Sequence, residues 1–430
     1  MGLEQLQANL KMPVAKMAES LMGSEIIKLA GEINDKIRKG QQIYNFTIGD
    51  YDPAIFPIPE ELKQEIVNAY NQHHTNYPAA NGIASLRESV ARYIQTFQGL
   101  NYSPDEFLIA AGARPLIYAA FQTLVDPGDK VVFPVPSWNN NHYTHLSHAN
   151  PVFVETKPEN NFMPTASELE PHLQGAGLLA LCSPLNPTGT VFTPDGLLEI
   201  CKLVLAENKK RAPGAKPLYL LYDQIYWTLT FGTTKHADPV SLLPEMRQYT
   251  VYVDGISKSL AATGVRVGWG FGPAAVIDKM KNILGHIGAW APKAEQVATA
   301  AFLNKHQAVN TFMDSLKTRI HERLMALYNG FEKLRSEGFP VRAIAPQAAI
   351  YLTVSIELTA YQLPDGTPIT QTEQISGFLL EHASLAVVPF YAFGASRSST
   401  WYRISVGTCQ LEQIPQVIDL LRSSMLKLRK

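Results

Sequence analysis

Short apolar runs, punctuated by glycine, proline and aspartate, recur through the middle of the chain. Residues 107–110 form one such run, broken by Gly112, and residues 130–135 form another after the turn signal Asp126-Pro127-Gly128-Asp129. Residues 178–182, 218–222 and 250–253 are runs of buried-strand type, closed by Ser183-Pro184, Asp223 and Asp254, and residues 267–271 follow shortly after. Between them lie stretches such as 194–207, whose apolar residues recur at helical spacing. Strand, helix and strand in succession predict a largely parallel sheet covered on both faces. Ligands of such sheets gather at the carboxyl ends of the strands. The polar residues of interest here stand just after strands.

The two ends of the chain read differently. They hold a helical lead, a proline-rich stretch at 50–59, a long helix near 311–336, and short strands near 350–354 and 402–406. Residues 1–60 and 326–430 are therefore expected to form one smaller α+β domain, with 61–325 as the large α/β domain. Pro364-Asp365-Gly366 marks a turn inside that smaller domain, and 209–216 reads as a polar surface loop.

Composition narrows the function class. The chain has 430 residues, 46% of them hydrophobic, with 38 acidic against 37 basic side chains and a formal charge of -1. That balance points away from nucleic acid and from membrane surfaces as partners, and no basic run exceeds Lys209-Lys210-Arg211. Three cysteines, Cys182, Cys201 and Cys409, make no disulfide framework and no metal-ligand spacing. The start of the chain lacks the basic and apolar regions of a secretory leader, and Leu6 stands where a myristoylation signal needs Ser or Thr. No apolar run approaches the roughly 20 residues of a membrane helix. A cytoplasmic protein is expected.

Five clusters carry candidate chemistry. The first is Val253-Asp254-Gly255-Ile256-Ser257-Lys258-Ser259-Leu260, followed by Arg266. A lysine after a strand is ordinarily a solvated cation. One that forms a Schiff base must instead reach a buried cavity from a rigid element end, and Ser257 and Arg266 suit a phosphate. The second is Tyr222-Asp223-Gln224-Ile225-Tyr226: Asp223 is either a helix cap or a carboxylate buried beside a cation. The third, Ser183-Pro184-Leu185-Asn186-Pro187-Thr188-Gly189, is a turn-rich run. The fourth, Ala111-Gly112-Ala113-Arg114, opens a helix, where backbone N–H groups bind phosphate. The fifth is Pro136-Ser137-Trp138, whose indole either packs in the core or stacks on an aromatic ligand.

In this order the five clusters resemble those of the fold-type I pyridoxal-phosphate (PLP) enzymes, specifically the class I/II aminotransferases related to aspartate aminotransferase. The resemblance runs from about Gly49 to Arg403. It implies a mostly parallel seven-stranded sheet between helices, PLP as cofactor, and a homodimer with shared active sites. It also implies a role at each matching position. Lys258 carries the cofactor covalently and moves a proton; Asp223 pairs with the ring nitrogen; Asn186 and Tyr226 bond the phenolic oxygen; Trp138 stacks on the ring. Gly112, Ala113, Ser257 and Arg266 hold the phosphate, with Arg114 directly after them, and Tyr77 reaches the neighbouring subunit's phosphate. Arg403 clamps the substrate α-carboxylate in a pocket that Gly49 lines. Three positions depart from the pattern: Gln224 replaces the usual Glu, Phe390 stands where Gly is common, and Trp290-Ala291-Pro292 replaces a Ser or Thr before the proline.

The expected reaction is ping-pong transamination between an α-amino acid and a 2-oxo acid. Arg114 faces either solvent or the side-chain pocket; inward, it favours acidic substrates, whereas the aromatic residues near the rim favour aromatic ones. Other chemistry on the same scaffold, a C–S β-lyase or a decarboxylase, shares most of these residues. A non-enzymatic PLP-binding sensor fits poorly, because little chain precedes Gly49 and that part is not basic.

Overall fold

The computed structural model describes residues 14–429 apart from 22 and 24, with 26 and 27 described as backbone alone. The myristoylation reading and most of the stretch read for a leader fall on residues outside this set. The strands in chain order are β1 (Tyr44–Asn45), β2 (Phe107–Ala110), β3 (Lys130–Val135), β4 (Asn150–Glu155), β5 (Ala176–Cys182), β6 (Tyr219–Asp223) and β7 (Thr250–Gly255). They continue with β8 (Gly268–Phe271), β9 (Val341–Ala343), β10 (Tyr351–Ile356), β11 (Leu385–Ala386), β12 (Val388–Pro389) and β13 (Trp401–Ser405).

Seven strands form the main sheet in the order β2-β8-β7-β6-β5-β3-β4. Strands β4, β3, β5, β6 and β7 run parallel, and β8 lies antiparallel to both β7 and β2. The link from β7 to β8 holds only the one-turn helix Ile256–Ser259, which leaves no room for the crossover that a parallel return needs. Side chains alternate between faces. Leu178, Ala180, Leu221 and Val251 pack with helices Ala113–Leu124 and Ala274–Ile287, while Leu179, Leu181, Leu220 and Tyr252 pack with Ala84–Gln98, Pro194–Lys209 and Lys293–Leu303. Each fully buried Leu or Val contributes roughly 1.5–3 kcal/mol relative to exposure.

The second sheet, β12-β13-β10-β9, is antiparallel, and β1 pairs with β11 from the other end of the chain, Tyr44 opposite Leu385. Its core joins Phe46, Tyr51 and Phe56 to Leu352, Val354 and Ile404. Helix His306–Ser336 serves both cores. Val309 and Met313 pack with the main sheet, whereas Leu316, Ile320, Leu324, Leu327, Phe331 and Leu334 pack with the smaller one. The contacts change over between Met313 and Leu316, and the boundary expected at 325 lies inside this continuous helix. Among the described residues, no helix is long and apolar enough to cross a membrane.

Candidate active site

Parallel register sets the floor of the site. Cys182 at the end of β5 lies opposite Asp223 at the end of β6, and Asp223 lies opposite Val253 on β7. Beyond β7 the chain turns into helix Ile256–Ser259, all of whose residues are buried. Lys258 Nζ donates to the Gly49 carbonyl at 2.6 Å, and the Tyr51 hydroxyl donates to the Lys258 carbonyl at 3.0 Å. Burial drives the Lys258 ammonium down to about 8; Asp50 opposes that shift, while Arg403, Arg114 and Arg266 add to it. Burial pushes the Asp223 carboxyl up to about 6, partly offset by the Ile225 N–H that donates to it at 3.1 Å.

Arg403 stands on β13, 1% exposed. Its guanidinium donates to Asn186 Oδ1 at 2.9 Å and to the Thr47 carbonyl at 2.6 Å, and its Nε is buried without a partner. It lies over the rings of Tyr351 and Phe393 at 4.7 and 4.9 Å. The hydroxyls of Tyr226 and Tyr351 are 2.6 Å apart.

At the opposite end, Gly112 turns with φ 89° into helix Ala113–Leu124. A Cβ there would collide with the Arg266 guanidinium. That guanidinium donates to the carbonyls of Thr263 at 2.6 Å and Ala111 at 2.7 Å, which fixes it beside the helix start. Arg114 is exposed, yet it reaches back over the Trp138 ring at 5.3 Å.

One cavity of about 680 Å³ gathers these groups. Gly49, Ala113, Arg114, Trp138, Asn186, Asp223, Tyr226, Ser257, Lys258, Arg266 and Arg403 all line it. Gly112 lies just behind the wall against Arg266. Tyr77 stands apart: it is 82% exposed, with its ring edge-on to Trp290 at 5.3 Å. Of the departures, Gln224 is fully buried and donates to Gln98 Oε1 at 3.0 Å, and Phe390 packs with Phe162 and Phe393. Neither lines the cavity.

Sequence reasoning missed several lining residues: Thr47, Asp50, Cys182, Thr263 and Tyr351. Asp50 directly follows Gly49, and its carboxylate accepts from Thr263 Oγ1 at 2.6 Å. Tyr351 opens an apolar strand, and nothing in such a pattern singles out one hydroxyl.

The lining suits PLP. Lys258, Arg114, Arg266 and Arg403 face Asp50 and Asp223, so the cavity favours anions. Its one-turn helix presents an amine, the Gly112 turn and Arg266 suit a phosphate, and Asp223 offers a half-buried acceptor to a ring cation.

Residues 41–421 match the family model described as aminotransferase class I and II. The aspartate aminotransferase of Geobacillus stearothermophilus is 28% identical over 387 residues, which cover 89% of this chain and 92% of that one. Among solved structures, the aspartate aminotransferase of Rhizobium meliloti superposes with a TM-score of 0.89 at 25% identity, covering 97% of this chain and all of that one. The Thermus thermophilus aspartate aminotransferase with maleate superposes with a TM-score of 0.84 at 25% identity, over 96% of this chain and 99% of that one.

Proposed function

The chain belongs to the class I and II aminotransferases and is a PLP-dependent aminotransferase; we propose that Lys258 is its cofactor lysine and that a dicarboxylic amino acid is its donor. One observation carries this reading: the Lys258 amine and the Asp223 carboxylate face a single cavity whose other strong charges include three arginines. When bound, PLP supplies an electron sink for the pair left at the substrate Cα.

The protein's own groups do the rest. Asp223 would hold a positive charge at the ring nitrogen, and Asn186 and Tyr226 would bond the phenolic oxygen. Gly112, Ala113, Ser257 and Arg266 would grip the phosphate, and Trp138 would cover the ring. Arg403 exchanges its contacts with Asn186 and Thr47 for the substrate α-carboxylate, which fixes the Cα–H bond for reaction. Its orphaned Nε shows that its donors are not all spent at rest. Lys258, already lowered to about 8, takes and returns the Cα proton near neutral pH. One clamp serves donor and acceptor in turn, so the first 2-oxo acid must leave before the second docks.

Arg114 gives the substrate class. Its charge lies at the cavity wall over Trp138, and among the described residues no carboxylate forms an ion pair with it. A side-chain carboxylate docked there accounts for an acidic donor; the relatives named aspartate aminotransferase and the maleate held by the Thermus enzyme support this.

We divide the chain into the main-sheet domain and a smaller domain drawn from both ends, joined through helix His306–Ser336. A second copy would complete the site by bringing its Tyr77 to the phosphate. The exposed Tyr77, Tyr70 and Ile287 support such a contact surface. A panel of amino donors and 2-oxo acids, followed by half-reaction absorbance, tests the function. Aspartate and glutamate are expected to react with a strict need for an acceptor, and pyruvate or ammonia release without one would contradict transamination.

A further inference from the structure

The buried tyrosine pair is used only in part by the chemistry above. Tyr226 and Tyr351 are both inside the protein, Tyr351 at 1% exposure, and their oxygens are 2.6 Å apart. Tyr351 also lies beneath the Arg403 guanidinium, whose carbon is 4.7 Å from its ring centre. Its hydroxyl comes so close to Gly49 that a Cβ built there would sit 2.9 Å from the oxygen. Gly49 has ordinary backbone angles, so the close approach of that hydroxyl, and not a turn, is what demands glycine.

We propose that Tyr351 is a positioning residue that couples the two ends of the site, its hydroxyl directing the Tyr226 proton into the cavity and its ring seating Arg403. This rests on the reading that Tyr226 faces the cofactor's phenolic oxygen. Each hydroxyl carries one proton, so in a bonded pair one oxygen donates and the other accepts. If Tyr226 donates to Tyr351, it has nothing left for the cavity. If Tyr351 donates, Tyr226 keeps its proton for a cavity oxygen and becomes a better donor through hydrogen-bond cooperativity. The pair is walled by Arg403, Lys258, Cys182, Asp50 and Tyr51, and the Lys258 amine lies 5.8 Å from the Tyr226 ring centre. The ring contributes separately: its π face attracts the guanidinium whether or not the hydroxyl is present.

The two contributions are separable by mutation of the PLP-loaded protein. The readout for the hydroxyl is the midpoint pH of the cofactor's visible absorbance change. Tyr351→Phe is expected to raise that midpoint by about half to one pH unit, because a weaker bond to the phenolic oxygen favours the protonated chromophore. Tyr226→Phe is expected to raise it further, and Tyr226→Phe/Tyr351→Phe to match Tyr226→Phe alone, since Tyr351 acts through Tyr226. Tyr351→Phe keeps the ring, so KM for the amino donor stays within about twofold, whereas Tyr351→Leu raises it by about tenfold.

A Tyr351→Phe midpoint equal to the wild type, or strictly additive shifts in the double variant, overturns the proposal. So does a Tyr351→Leu KM that does not rise. If Tyr351→Leu does not fold, the isosteric Phe variants decide the matter alone. Failure of the underlying reading would look different: Tyr226→Phe would then leave the midpoint where the wild type has it, or the wild type itself would show no cofactor band.

Discussion

At Lys258 burial pushes the ammonium down to about 8, and at Asp223 the same burial pushes the carboxyl up to about 6. Both shifts tax the cofactor-free protein. The unfolded Lys258 binds a proton up to its ordinary value of about 10.4, so between about 8 and that value the unfolded state holds more protons and stability rises with pH. Asp223 acts in the opposite sense: its folded form keeps a proton up to about 6, so stability falls as pH rises from its ordinary value of about 3.9 through that point. Asp223→Asn is therefore expected to raise the cofactor-free Tm at pH 7.5, by on the order of 1–3 °C, while abolishing useful turnover. Calorimetry and a turnover assay on the same preparation check both halves. Arg114→Gln removes a partly exposed charge and is expected to lower kcat/KM for aspartate by about 10–30-fold, while a monocarboxylic donor changes less than threefold. Equal losses for both donors would remove Arg114 from substrate choice.

At the scale of elements, the proposed phosphate end depends on a backbone turn meeting a side chain. Gly112 turns into helix Ala113–Leu124 directly against the Arg266 guanidinium. Gly112→Ala is expected to weaken PLP affinity by at least about tenfold and, because its φ and the Arg266 guanidinium both oppose a Cβ, to cost about 1–3 kcal/mol of stability, measured by fluorescence titration and thermal melting. The sequence made these elements legible wherever apolar runs were continuous and closed by a breaker: 107–110, 130–135, 178–182 and 250–253 all lie within strands. It hid β4, an edge strand that begins Asn150-Pro151 and is exposed at four of its six residues, so its apolar signal is weak. The antiparallel return of β8 was equally hidden, because hydrophobic runs carry no direction. Cavity-lining residues were legible where a rare side chain follows a strand, as at Lys258 and Asp223. Tyr351 and Thr47 look like ordinary strand and loop positions, and only the fold brings them to the cavity.

For the whole molecule, helix His306–Ser336 ties two cores into one body, and the cavity lies where strand ends of the main sheet meet Arg403 and Tyr351 of the smaller one. Leu327→Ala, deep in the smaller core, is expected to cost about 2–5 kcal/mol and to lower donor affinity through Arg403 before it affects cofactor binding. Denaturant unfolding with and without PLP measures that order. A shared site also predicts that Tyr77→Phe weakens PLP binding severalfold while light scattering still reports a dimer. Most direct of all is borohydride reduction of the PLP-loaded protein, followed by peptide mass mapping. The pyridoxyl mass is predicted on Lys258; a label on any other lysine, or none, contradicts the central claim.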